Sequence, residues 1–565
     1  MSGRELTPES IYQEYQAGID FNATLNLINN VDNNENFYIG KQWEGVESNG
    51  LPTPTFNFIK RIINFQIAST STDNLKIYAS PIPASGVAPQ EAVEHVCNVL
   101  NAQFAAVWEN TSAARKTREF MRDAAVRSDG CLYSWFDPDM DIGDGNKGGI
   151  RLEVLENTRV MFGNPTDRNV QRQPYIIVEK RVLLEEAKRM AKQFDGDPDA
   201  VQPDSDYTNN RFDQMSGNKT TMLYRFAKDP DSGTLTASVS VKDSWIRKPW
   251  DTGQELYPIT WMSWDHVPNC YHGMGLVDGL IPNQVFVNRM FAMVYLSLMT
   301  TAYPKIIYDK TRIKSWNAAV GAAIGVNGGD INTVAKTIDP ATISPQVSQF
   351  IQLTVDMTKD LMGATDAALG STRPDNTSAI IALQKASTIP TEVVKQNFFQ
   401  SVEDLARIWA DLMRTYYGTR SIGMQVEETP AGALQIEERF DFSSLKNNPI
   451  YIKLDVGGSA YWSEIAQVQT LDNLLMQGKI ATSEYIKRLP SGYINMQQEL
   501  IQVLEQEEQM QRMAAMGLPA APSQDPGTTA PLVPSQSEPP VQGGRGYGAL
   551  QRQINEEAAQ QAAGM

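Results

Sequence analysis

Three short stretches of this chain carry residue types that do chemistry, and spacing decides what each is good for. Asp265, His266, Cys270 and His272 bring together two of the three histidines and a thiol, donors that suit zinc. Their spacing follows no zinc pattern, and Pro268-Asn269 between them reads as a turn, so a structural role is expected. Asp137, Asp139 and Asp141 alternate like the first ligands of a calcium loop, yet Ile142 stands where that loop needs Gly and Gly148 where it needs Glu. At most a weak surface cation site follows. Gly143-Asp144-Gly145-Asn146-Lys147-Gly148 matches G-x-G-x-x-G, but it lies between two strands with no helix to present amides to a phosphate, and a hairpin loop is expected. G-x-x-x-x-G-K-[ST], H-E-x-x-H and G-x-S-x-G are absent. Neither an enzyme nor a cofactor or metal site is expected; an activity lost on changing His266 or His272 would revive the first.

The elements around these residues are those of a large multidomain chain. Its 565 residues suffice for several cores, and 41% hydrophobic with 20% charged residues is ordinary for a globular protein. A net charge of −17 disfavours tight duplex binding, which needs many phosphate-neutralising cations. It suits a conduit along which a polyanion slides without sticking. Cys97, Cys131 and Cys270 are few, odd in number and far apart, which gives no disulfide framework and fits a reducing compartment. No basic region followed by an apolar run opens the sequence, so assembly in a cytoplasm is the expectation.

The organising stretch is 271–371. An apolar segment with helical periodicity runs from Gly279 to Ala302, through Val285/Phe286, Arg289/Met290, Met293/Val294, Leu296 and Met299, and Tyr303-Pro304 closes it. Such a helix would be roughly 35 Å long. A second begins at Ser344-Pro345 and carries Val347, Phe350, Ile351, Val355, Met357, Leu361 and Met362 to Gly363. Helix, insert and returning helix make a stalk with a small module at its tip. It could be a membrane hairpin, a buried pair, or a wall packing against copies of itself. Asn283, Gln284, Asn288 and Arg289 leave an apolar run of about ten residues, short of the roughly 20 that span lipid.

Before the stalk, helices are expected over 7–36, 56–67, 88–128 (as one or two) and 183–194, with strands at 75–79, 130–136, 150–155, 159–165, 174–180, 221–227, 234–241 and 257–264. After it come a loop at 371–377, a long helix over 378–417 bent at Pro390, strands at 434–440 and 450–456, and Gln/Glu/Met-rich helices to 516. The Pro/Gly/Gln-rich remainder, 517–565, is expected to be disordered.

This order of elements resembles the portal proteins of tailed bacteriophages, with the short-tailed phages as the closest subgroup. Residues that carry the resemblance are Asn34-Glu35-Asn36-Phe37-Tyr38-Ile39-Gly40-Lys41-Gln42-Trp43, Pro54 to Ile63, Asn164-Pro165, Gly273-Met274-Gly275 before the stalk and Ala302-Tyr303-Pro304-Lys305 after it. The resemblance implies an α+β, portal-like fold with a mixed α/β wing (1–270, with return strands at 421–460), a two-helix stem (271–302 and 344–370) and a small clip insertion (303–343). A tunnel loop (371–377), a long kinked helix (378–420) and an α-helical crown (461–516) would follow. The crown is short beside the longest members, and the Pro-rich tail stands where they extend a helical barrel.

It further implies a homo-oligomeric ring of twelve subunits at the capsid vertex of the virion, through which double-stranded DNA is packaged and ejected without sequence specificity. Partners would be the terminase large subunit, head–tail adaptor and tail proteins, and the major capsid and scaffolding proteins; no membrane is involved. Ser371, Thr372, Arg373, Pro374, Asp375, Asn376 and Thr377 would face the channel with Lys385 behind them. Lys305, Lys310, Arg312 and Lys314, which make 303–343 locally basic, would meet terminase and adaptor. Apolar stem helices dotted with Asn, Gln and Arg would suit packing between subunits around a wet channel. The alternative is another virion structural protein, a tail or internal scaffold component.

Overall fold

The structure, a computed structural model, describes residues 6–363 and 391–456 apart from 49, 51, 72–74, 83–89, 142–145, 195, 205–217, 303–305, 318–322, 338–344, 430–431 and 448–449, together with residue 500 and fragments between 471 and 488. Two compact units divide at residue 466. The first holds nearly everything described.

Its N-terminal helix α1 (Pro8–Thr24) is fixed by a reciprocal cap: the Thr7 side chain accepts from the Ser10 N–H at 3.2 Å while Ser10 Oγ accepts from the Thr7 N–H at 3.1 Å. The single helix expected over 7–36 is two, because Asn26 turns left-handed (φ 52°) and α2 (Leu27–Ile39) starts anew, ending on Gly40 at φ 98°. Helix α3 (Phe58–Thr70) is capped by the Asn57 side chain on the Lys60 N–H, 3.2 Å. Strand β1 (Leu75–Pro81) and helices α4 (Gln90–Asn110) and α5 (Ala113–Arg127) follow. Next come β2 (Asp129–Asp141), β3 (Lys147–Leu155), β4 (Val160–Phe162), β5 (Tyr175–Leu183), α6 (Leu184–Gln193), β6 (Lys219–Lys228), β7 (Leu235–Ser240), β8 (Trp245–Asp251) and β9 (Ile259–Ser263).

These strands build two antiparallel sheets, β3-β2-β9 and β4-β5-β6-β7-β8. The sequence reading missed β8, which is short of apolar alternation and contains Pro249; it is the outer strand of its sheet, where a missing N–H is tolerated. The glycine-rich stretch after β2 joins it to β3 as a hairpin, as expected, although residues 142–145 themselves lie outside the described residues.

The stalk helices are α7 (Leu276–Ala302) and α8 (Pro345–Leu361), and the insert between them pairs β10 (Ile306–Tyr308) with β11 (Ala335–Thr337). Of the long helix, α9 (Glu392–Tyr416) is described; Pro390 and the bend expected there lie outside. The chain then forms a ribbon, β12 (Thr419–Thr429) with β13 (Gly432–Asp441), and returns as β14 (Ile450–Val456) to pair antiparallel with β1, Leu75 facing Val456. Strand β12 was not foreseen: it abuts the helix and has little apolar alternation of its own, so only its partner defines it.

The main core lies where α3, α4, α5 and α9 pack around β2. Trp409 of α9 is fully buried there and its indole N–H donates to Ser134 Oγ at 3.1 Å. The second unit, 467–565, is described only in part; there the helix Thr482–Arg488 places Tyr485 so that its hydroxyl donates to Asp472.

Candidate functional site

The stalk is rooted by a buried carboxylate at the start of β2. Asp129, with no exposed surface, accepts through one oxygen from Ser263 Oγ (2.6 Å) and the Gly273 N–H (2.8 Å), and its other oxygen accepts from Asn157 Nδ2 (3.3 Å) and meets His272 Nδ1 at 2.7 Å. His272 Nε2 lies 3.1 Å from Asn22 Oδ1, so α1, β2 and the lead-in to α7 meet at one point. A Cβ on Gly273 would sit 2.4 Å from the Asp265 carbonyl oxygen, which is why glycine precedes the stalk here. Asp278 in the first turn of α7 repeats the device, accepting from the Gly275 N–H (2.8 Å) and Asn34 Nδ2 (2.9 Å). A carboxylate at that end also faces the positive end of the helix dipole.

Two turns further on, a clasp of amides holds α7 to the loop before α3. Gln284 Nε2 donates to the Phe56 carbonyl (2.8 Å) and to Asn288 Oδ1 (2.9 Å), and Asn288 Nδ2 donates to Gln42 Oε1 (2.6 Å). Gln284, Asn288 and Gln42 are all buried. The polar interruptions read in the sequence as contacts between subunits therefore include three used inside one chain. Asn283 Nδ2 ties α7 to α8 through Thr358 Oγ1 at 3.1 Å.

Beyond the clasp the stalk changes character. Met293, Tyr295, Leu296 and Met299 of α7 are 40–57% exposed, and Phe350, Leu353, Met357 and Leu361 of α8 are 53–70% exposed. In α8 only Thr358 is buried. Large apolar side chains in a contiguous exposed stretch mark a surface that another molecule covers. No helix among the described residues is long and apolar enough to cross a membrane.

At the tip, Ile313 and Val334 are buried, and Tyr308 stacks on Trp316 with centroids 5.3 Å apart. Of the four basic residues expected to act here, Lys310 and Lys314 are exposed, Lys305 lies outside the described residues, and Arg312 is half-buried. Its guanidinium reaches Asp309 (3.6 Å) and donates to Thr333 Oγ1 (3.4 Å), both within the module itself. Lys336 on β11 is exposed and was not singled out. Ser371, Thr372, Arg373, Pro374, Asp375, Asn376, Thr377 and Lys385 lie outside the described residues, as does most of 461–516.

The other chemical candidates are placed apart from one another. His266 is exposed while His272 is buried against Asp129, and burial pushes the Cys270 thiol and the Asp265 carboxyl up from their ordinary values. No group of three or more His, Cys, Asp or Glu side chains among the described residues is placed to hold a metal ion. Asp137 is occupied by Arg151 Nε at 2.5 Å. Sequence reasoning missed Asp129, Asp278 and Gln42; only the amides breaking an apolar helix at Gln284 and Asn288 hinted at the clasp.

A double-rooted two-helix stalk with an apolar outer half and a small β module at its end defines a structural subunit made for assembly. The description Phage P22-like portal protein matches residues 13–252 and 242–428, well over half of the 565 residues, and the chain belongs to that family. No individually curated protein matches it. Membership implies a structural, non-enzymatic protein, an oligomeric ring with a DNA channel, and a place at the capsid vertex of the virion.

Proposed function

We propose that copies of this chain close into a ring of twelve whose stem, formed by α7 and α8, lines or braces the channel, with residues 1–270 and 421–460 as wing, 303–343 as clip and 461–516 as crown. In this reading double-stranded DNA enters and leaves through the bore, the clip meets terminase large subunit and later the head–tail adaptor, and the wing and crown face capsid and scaffolding proteins. The acidic chain keeps the polymer mobile, while Arg373 and Asn376 of the 371–377 loop touch it transiently. Exposed Lys310, Lys314 and Lys336 give the clip a basic end for acidic partners.

The observation that carries the proposal is the exposed apolar surface on the outer half of the stalk, more than one copy can cover by itself. Covering it with the stalk of the next copy is favoured by about 25 cal/mol for each Å² removed from water. Replacing Met293 and Leu353 together by Glu is expected to abolish rings and leave a folded single copy, read as mass in solution with unchanged far-ultraviolet dichroism. A variant that still forms rings of wild-type mass would remove the stalk from the interface.

A further inference from the structure

We propose that the outer edge of β3 receives the β12–β13 ribbon of a neighbouring copy as an added strand, a contact that rests on the ring reading and extends it to the wing. Strand β3 ends its sheet, with β2 on one side and, among the described residues, no strand on the other. The Ser134 N–H donates to the Pro258 carbonyl at 3.0 Å, on the β9 side of β2. Leu152, which faces Ser134 across the pair, therefore turns its own N–H and C=O away from β2. Ile150 and Val154, two residues away on either side, do the same. Lys116 agrees with this direction, its Nζ reaching the Leu152 carbonyl at 2.6 Å. Among the described residues the remaining main-chain groups of this row have no partner.

That row is not on open surface. Ile150 and Leu152 are 2% and 3% exposed, and the strand walls a groove of about 960 Å³ that Trp135, Met140 and Met190 also line. Backbone polar groups in such a place need partners. A row repeating every second residue is matched by another extended backbone, which supplies donors and acceptors at the same interval.

The ribbon has the complementary need. It is a sheet of two strands with no third on either side among the described residues, anchored at its root by buried Ile422 and Phe440 and by Arg420, whose Nη1 donates to the Gly148 carbonyl at 2.9 Å. Two strands alone are marginal in water. Its strands of 11 and 10 residues are longer than the stretch 150–154 that they would cover. In a closed ring each contact joins two different surfaces of the same chain, and groove and ribbon are such a pair.

The test is hydrogen exchange on wild-type rings and on a variant with residues 424–437 replaced by Gly-Gly, with particle mass measured alongside. Amides of 150, 152 and 154 are expected to exchange at least tenfold more slowly in wild-type rings than in rings of the variant. Fast exchange of these amides in intact wild-type rings overturns the proposal, as does equal protection in both. As a second line that needs no deletion, R151C/E427C and R151C/E437C are expected to give covalent multimers on oxidation in at least one case, while each single variant does not; the native cysteines among the described residues are buried and stay out of the reaction. Absence of multimers in both pairs counts against the ribbon as occupant. A wild-type chain that stays monomeric overturns the ring reading as well, and the mass distinguishes that case.

Discussion

Glu156 couples local stability to pH. Its carboxylate meets Arg127 Nη1 at 3.1 Å and Arg159 Nε at 2.8 Å. Burial acts to raise its pKa, but the two guanidinium groups outweigh it and hold the carboxyl below its ordinary value. The unfolded chain therefore binds the proton more readily, and the stabilisation is complete above the unfolded value of about 4.3 and disappears as pH falls through the folded one. Because the pair is partly solvated, E156Q is expected to cost about 0.5–1 kcal/mol at pH 7 and nothing at a pH below both values. Urea midpoints measured at the two pH values would show it; a deficit independent of pH would assign the loss to packing instead. Asp129 belongs to the same scale with a different logic, since its partners converge from three segments and leave it no contact with solvent.

Among elements, α7 decides where the stalk points. Its first turns are bound twice, at Asp278 and at the Gln284–Asn288 clasp, and Pro282 between them contributes no N–H to the helix. Asn288→Ala would leave Gln42 Oε1 buried without its donor, a cost of about 1–3 kcal/mol. The expected result is a lower denaturation midpoint with faster exchange at the amides of 56–60 and unchanged helix content. If exchange there stays as in the wild type, the clasp does not hold the loop. Periodicity had located α7, α8 and α9 well, because a long apolar stripe repeating every three to four residues permits little else. The strands it missed, β8, β10, β11 and β12, are very short or lack apolar alternation and are defined by the strands beside them.

At the scale of the whole molecule, residues far apart in sequence are brought together by the return of the chain. Strand β14 pairs with β1 after the stalk and long helix have been completed, so the stalk is an excursion from one closed body. Family membership places that body in a ring around DNA. Deleting residues 372–376 is expected to spare ring mass and to reduce packaged or retained genome severely, scored as DNA protected in particles. Normal packaging by that variant would take Arg373 and Asn376 out of the proposed grip.

By itself the sequence determined the order of elements, the stalk with its inserted module and the absence of familiar catalytic motifs, since each of these follows from local periodicity, turn residues or residue type. Tertiary structure alone decided what the polar residues do. Gln284 and Asn288 turn inward to Gln42 and Phe56, and His272 closes on Asp129 and not on His266. Local sequence cannot choose among such partners, because a buried amide or carboxylate takes whichever donor the fold brings within 3 Å, and those donors come from segments more than a hundred residues away.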